Sequence, residues 1–283
     1  MKKYIIALSL ILGIWVNNSN AQGVYDDWTY GRQAVKERQV IRWPYLREAD
    51  VMYAWRVERI IDTREKMNVC LAWPKNPLYA VLETGIMKDK NLTVYWTDSL
   101  NRPMTSEDIT KRVNYETTIQ VQVDPNDPYN LVDSTVQVVF DWALIKRYKI
   151  MEDWIFDKKE SRFVCRIISI APMFQPYAGG AVVPEQPMCY IRYHDNSLQD
   201  TSTFRQTCVN QEVYNRFNDA ARITYDDFFE MRMFTSYIIK ESNPFDEKLK
   251  GFDEFKDDPV ALLLESDNIK RKLFEFEHDL WEF

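Results

Sequence analysis

Glycine and histidine are both scarce in this sequence. Its 283 residues hold only 7 glycines and two histidines, His194 and His278. The glycines (Gly13, Gly23, Gly31, Gly85, Gly179, Gly180 and Gly251) are too widely spaced for a dinucleotide fingerprint, a P-loop or a nucleophile elbow. Each of those needs close-set glycines where backbone approaches phosphate or turns sharply. Neither histidine neighbourhood offers an H-E-x-x-H zinc motif. A serine or cysteine nucleophile would find one internal histidine, His194, as its base. Cys189 lies close before it, so a Cys–His pair can be drawn, but no cysteine-protease signature flanks it. The plainer reading of His194 is a surface residue at a strand end. The acidic clusters at Asp124–Asp127, Asp226-Asp227 and Asp257-Asp258 lack the D-x-D-x-D-G order of a calcium loop, so no metal, cofactor or catalytic set is expected.

Long apolar runs are missing too, except at the start. Met1-Lys2-Lys3 precedes an uncharged, mostly apolar stretch, Tyr4 to Val16, and Ser19-Asn20-Ala21 places small residues before a cut. This is the anatomy of a secretory signal peptide over 1–21. The run is shorter than the roughly 20 residues a spanning helix needs, and no cysteine follows it to take a lipid anchor. The expected product is exported, without direct membrane insertion. Losing Lys2 and Lys3 leaves 34 basic residues of 36 against 43 acidic ones, a net charge of −9 in place of −7. So acidic a chain is a poor counter-ion for phosphate, and nucleic acid is excluded as the main partner.

Aromatic residues are abundant, with 15 Phe, 16 Tyr and 9 Trp. The four cysteines are Cys70, Cys165, Cys189 and Cys208. In an exported chain they can pair. If the strand-like stretches 163–170 and 188–193 met antiparallel around Gly179-Gly180, Cys165 and Cys189 would face each other as a disulfide. Buried free thiols in a sizeable core are the alternative.

Periodicity divides the chain into the leader, an N-terminal extended arm (22–46), an α+β core (47–241), and a charged linker with a C-terminal helix (242–283). Tyr53, Val57, Ile60, Ile61 and Met67 recur at helical spacing, which predicts a helix over about 47–68. Asn76-Pro77 caps a short helix to Gly85, and Thr105 opens another to Val113. Leu92–Trp96 reads as a strand. Tyr115–Val123 alternates as a half-buried strand, with a partner at 135–140. Residues 143–151 read as helical, 163–170 and 188–193 as strands, 171–187 and 195–210 as loops, and 225–240 as a largely buried helix. From Pro259, Ile269, Leu273, Phe276, Leu280 and Phe283 form one apolar seam. The seam can dock on its own domain or enter a neighbouring subunit. The fold class is α+β, mainly antiparallel strands with packed helices and a C-terminal helix.

Several stretches in order carry a resemblance. They are Arg47-Glu48-Ala49-Asp50-Val51 with Arg64-Glu65-Lys66-Met67-Asn68; Glu152-Asp153-Trp154-Ile155-Phe156-Asp157 with Arg166-Ile167-Ile168-Ser169-Ile170-Ala171-Pro172; Thr224-Tyr225-Asp226-Asp227-Phe228-Phe229 with Ser236-Tyr237-Ile238-Ile239-Lys240-Glu241-Ser242-Asn243; and Phe276-Glu277-His278-Asp279-Leu280-Trp281-Glu282. Together they resemble the GldN/PorN family of gliding motility and type IX secretion in Bacteroidetes. The resemblance implies a non-enzymatic structural subunit in the periplasm, peripheral to the outer membrane. Its implied partners are a GldK/PorK-like outer-membrane lipoprotein, further copies of itself within a ring, and a GldM/PorM-like motor component. Candidate contact surfaces are the charged face of the first helix (Arg56, Arg59, Arg64) and the terminal seam (Phe274, Phe276, Leu280, Trp281). Charge reversal at Arg59 is expected to weaken assembly and leave the monomer folded. The rival reading is an exported carbohydrate-binding module or glycoside hydrolase, which needs two carboxylates about 5–10 Å apart in an aromatic cleft.

Overall fold

The computed structural model describes Val35 and residues 37–122, 131–177, 183–194, 203–218, 220–256 and 258–279, with the backbone alone at 117–122 and 131–134. The leader, the start of the arm and the end of the terminal seam, including Leu280, Trp281 and Phe283, lie outside the described residues.

The first strand, β1 (Val51–Asp62), is followed by helix α1 (Leu78–Glu83), the short strands β2 (Val94–Tyr95) and β3 (Pro103–Met104), and helix α2 (Ser106–Val113). A separate hairpin of β4 (Tyr115–Gln122) and β5 (Leu131–Val138) leads to the long strands β6 (Arg147–Asp157) and β7 (Arg162–Phe174), then to β8 (Gln186–Pro187) and β9 (Tyr190–Arg192). Helix α3 (Phe204–Cys208), the hairpin of β10 (Glu212–Val213) and β11 (Ile223–Thr224), helix α4 (Tyr225–Glu230), strand β12 (Tyr237–Glu241) and helix α5 (Pro259–Asp279) complete the described chain. The main sheet runs β12-β1-β6-β7-β9-β2-β3, with β8 beside the end of β7. Every described pairing is antiparallel. The fold is α+β, as the sequence led us to expect.

Several local readings hold. Thr105 caps α2 with a full capping box, its side chain accepting from the Asp108 N–H while Asp108 accepts from the Thr105 N–H. Each link satisfies an orphan donor of the first turn. Thr224 and Asp227 repeat the device at α4. Pro77 introduces α1, and β4, β7 and α5 lie where periodicity put them.

The expected helix over 47–68 is instead β1 and its following turn. Residues Val51, Tyr53, Trp55 and Val57 alternate at the strand period. Further on, β1 is buried on both faces, so Ile60 and Ile61 are both apolar and the pattern imitates a helix. The helix expected at 143–151 is likewise mostly β6, after a single turn at Trp142–Leu144. The helix expected over 225–240 ends at Glu230. Arg232 adopts a left-handed conformation (φ 53°). The Met233 N–H donates to Phe228 O (3.0 Å) and the Arg232 N–H to Phe229 O (3.1 Å), the two bonds of a Schellman stop. The chain then turns into β12. The loop expected at 195–210 contains α3.

The Cys165–Cys189 bridge is not made; all four cysteines are free. β7 and β9 do pair antiparallel, but Ile170 opposes Ile191 and Ser169 opposes Arg192. That register carries Cys189 towards Pro172, about seven strand residues from Cys165, on the order of 20 Å.

Two apolar clusters pack on one face of the sheet. The larger joins Ile61, Tyr148, Ile150, Ile170 and Ile191 to α1, α2, α3 and α4. The smaller joins Val57 and Ile238 to Leu249 and to Ile269 and Leu273 of α5, with Trp55 and Trp154 at its margin. The Ile238 N–H donates to Ser266 Oγ on α5 (2.8 Å). α5 therefore docks on its own domain, and Phe276 extends the contact to the rings of Tyr53 (4.7 Å) and Phe163 (5.8 Å).

Candidate functional site

The polar centre of the molecule sits on that same sheet face, between the two apolar clusters. Strand alternation puts Arg59 of β1, Glu152 of β6 and Cys165 of β7 on one side. Glu152 is fully buried and forms an ion pair with Arg59, itself only 7% exposed. From the turn after α4, Arg232 Nη1 and Nη2 donate to the two Glu152 oxygens (2.5 and 3.2 Å). The Cys165 thiol donates to Glu152 Oε2 (2.8 Å). The Trp154 ring lies 5.6 Å from the Arg59 guanidinium and 5.2 Å from that of Arg232. Burial alone would raise the Glu152 pKa, but Arg59 and Arg232 outweigh it and hold the carboxyl below its ordinary value. Burial and the Glu152 charge push the Cys165 thiol well up. On the opposite face, Lys149 Nζ meets Glu58 Oε2 at 2.9 Å, both buried.

Each carboxylate is held by cations, Glu152 by two arginines and Glu58 by Lys149, and the pairs lock strands together. Breaks in strand register sit beside them. Met151 opposes Ser169 while Glu152 opposes Ile167, and Glu58 opposes Lys240 while Arg59 opposes Ile238. Each skips one residue, as a bulge does when it re-aims a side chain.

The candidate contact residues separate. Arg59 is a buried pillar and no part of an exposed face, so reversing its charge is now expected to unfold the monomer. Arg56 stays on the surface, in a two-pronged pair with Asp153 (2.7 and 2.8 Å). Arg64 is exposed in the turn after β1 and grips Asp62, which Arg147 also holds. The Arg64 hydrogen bonds keep the Asp62 carboxyl far below the usual carboxylate range. Phe274 is 67% exposed on α5, whereas Phe276 packs inward. Leu280 and Trp281 lie outside the described residues.

His194 and Cys189 do not meet. Cys189 is enclosed in the larger core, and the His194 ring stands edge-on to Trp43 at 4.6 Å. Trp43 anchors the arm, whose residues 38–47 cross the body without helix or strand. Its Nε1 donates to Glu230 (3.0 Å), and Arg166 and Arg205 stand 5.5 and 5.7 Å from its ring. Both arginines also donate to arm carbonyls, Arg166 to Pro44 and Arg205 to Ile41, each at 2.8 Å. The arm is thus strapped down.

Two hollows remain. One of about 180 Å³ is lined by Arg56, Glu58, Asp98, Lys240, Glu241 and Asp246 among others, where Lys149 and Lys240 pair Glu58 and Asp246. The other, about 350 Å³, is apolar and lies beyond the Asp62 end of β1. Its wall gathers Met67, Cys70, Tyr214, Phe217, Phe228 and Met233 from three separate segments. No sequence period links them, so reading the chain missed this site. Among the described residues no group of three or more His, Cys, Asp or Glu is set to hold a metal, and no helix is long and apolar enough to cross a membrane.

The family described as "Gliding motility associated protein GldN" matches residues 46–282. That span takes in every strand of the main sheet and all of α5. The chain belongs to the GldN family. It is therefore a component of the gliding-motility and type IX secretion machinery. No curated protein matches it. The GldN match runs through the buried Arg59–Glu152–Arg232 centre, the apolar cavity and the docked helix alike, so these belong to the family's own span.

Proposed function

We propose that this GldN-family chain is a structural subunit, exported to the periplasm, that assembles with a GldK/PorK-like outer-membrane lipoprotein and with copies of itself into a ring, with a GldM/PorM-like motor component nearby. The observation that carries this reading is the family match over nearly the whole chain after the leader. The chemistry supports it. The buried carboxylates Glu152 and Glu58 are held by arginine and lysine side chains, and the surface displays large apolar side chains, among them Tyr45, Met67, Phe217, Phe245 and Phe274. Aromatic and methionine side chains are favoured at interface cores.

Gentle detergent extraction of envelopes, affinity capture of the tagged chain and imaging of the product test the proposal. A high-mass annular complex containing a lipoprotein is expected. A chain recovered only as a monomer, with no lipoprotein enriched, would refute it.

A further inference from the structure

The apolar cavity beyond β1 is flanked by exposed side chains. Met67, Tyr214 and Phe217 are 46%, 42% and 77% exposed. Lys66 and Arg216 also line it; the Arg216 guanidinium lies over the Phe217 ring at 5.4 Å and donates to the Lys66 carbonyl. At about 350 Å³ it falls at the lower end of the ~300–1,000 Å³ typical of ligand pockets. That is room for one indole with an aliphatic neighbour. Met67 and Met233 give the wall the adaptable surface that thioethers provide.

We propose that this cavity receives the Leu280-Trp281 segment of a second copy of this chain. The inference rests on the reading of the protein as an assembly subunit and names one contact between its copies. Composition supplies the first argument. Leu280, Trp281 and Phe283 are interspersed with Glu277, Asp279 and Glu282. The apolar side chains match the wall, and the carboxylates match the Lys66 and Arg216 cations at its edge.

Reach supplies the second. α5 runs back along β1: Ser266 meets Ile238, which opposes Arg59, and Phe276 meets Tyr53. The chain therefore leaves α5 at the Tyr53 end of the sheet, while the cavity lies beyond Asp62. Those two positions are about nine strand residues apart, roughly 30 Å at ~3.3 Å each. Trp281 is five residues past Phe276, so even a fully extended chain carries it no more than about 18 Å. The segment cannot enter the cavity of its own copy. Unless two copies exchange tails reciprocally about a twofold axis, a contact between the tail end of one copy and the cavity end of the next is heterologous, the type that propagates into rings or filaments.

Cys70 in the cavity wall provides the test. The full chain carrying Glu282→Cys is expressed in cells, and intact envelopes are treated with a short bismaleimide. Denaturing gels and peptide mass mapping then read the products. A covalent dimer whose linked peptides join Cys70 to the introduced cysteine is expected. Its yield should fall at least tenfold when Trp281→Ala or Met67→Glu is added. Absence of the dimer overturns the proposal, whether Cys70 takes a monofunctional maleimide freely (an open cavity) or is protected (a different occupant). A dimer undiminished by Trp281→Ala overturns it as well. Capture of the lipoprotein by the unaltered chain is scored in parallel, so losing this contact is distinguished from losing the assembly reading.

Discussion

Reversing the charge at Arg59 separates a buried pillar from a contact surface. Arg59→Glu would set a second carboxylate beside Glu152, which has no access to water. Removing one partner from a buried ion pair costs about 3–5 kcal/mol, and a like charge in its place adds to that. A domain holds only about 5–15 kcal/mol in total, so the variant should be partly or wholly unfolded at ambient temperature. Arg56→Glu, three residues earlier on the same strand, breaks an exposed pair with Asp153 and should cost no more than about 1 kcal/mol. Replacing the whole group, Arg59→Met and Arg232→Met with Glu152→Leu, should recover much of the loss, since buried ionic partners exchanged together for apolar groups are often neutral, and no guanidinium is then left without its carboxylate. Trp154 lies beside both Arg59 and Arg232 and contributes with the other tryptophans to the fluorescence that follows unfolding in a urea titration. If Arg59→Glu and Arg56→Glu shift the urea midpoint equally, with unchanged slope, the pillar does not carry the load assigned to it.

Arg232→Gly should relieve about 1 kcal/mol of left-handed backbone strain and yet lower stability, because charged hydrogen bonds such as those to Glu152 are worth about 1.5–3 kcal/mol; a net gain in urea midpoint would show the guanidinium to be dispensable. Ser266→Ala strips the Ile238 N–H of its acceptor and should cost about 1–3 kcal/mol, while Ile269→Ala should cost about 2–5 kcal/mol; an unaltered melting temperature in both would mean that α5 is not part of the core. The Asp62 carboxyl is held down by Arg64 and Arg147, so its contribution is present above the unfolded carboxylate pKa and is lost as pH falls through the lower folded value. Asp62→Asn should therefore flatten the stability–pH curve below about pH 4 and leave the curve's slope at neutral pH unchanged. Burial pushes the Cys189 thiol to about 12 and Cys208 well up, so a thiol reagent should label half-buried Cys70 first and reach all four only after unfolding. A disulfide-linked peptide joining Cys165 to Cys189 would contradict the register of β7 against β9.

The capped helices and edge-of-core strands were legible because their signals are local. Thr105 with Asp108, Thr224 with Asp227 and the alternation of Tyr115–Val123 each lie within a few residues of the structure they specify. β1 and β6 were misread because strands buried on both faces lose their alternation. Their charged residues, Glu58, Arg59 and Glu152, look like a solvated helix face until their partners across the sheet are known. The end of α4 was hidden for a related reason. Arginine occupies the left-handed position where glycine is the usual marker, and it is there for a carboxylate 80 residues away in sequence. The apolar cavity had no sequence signature because its wall draws on the turn after β1, the β10–β11 hairpin and α4.

Strand β1 is bordered on one side by β6 and on the other by β12, the last of the described strands. During synthesis, residues 51–62 emerge long before residues 237–241. Throughout that interval, one row of backbone amides and carbonyls along β1 has no partner, and such an edge invites pairing with any other chain. Pairing so distant in sequence is also slow to form. Arrival of Tyr237–Glu241 closes the Val57–Ile60 part of that row, so a nascent chain stalled anywhere before this point is an adhesive one.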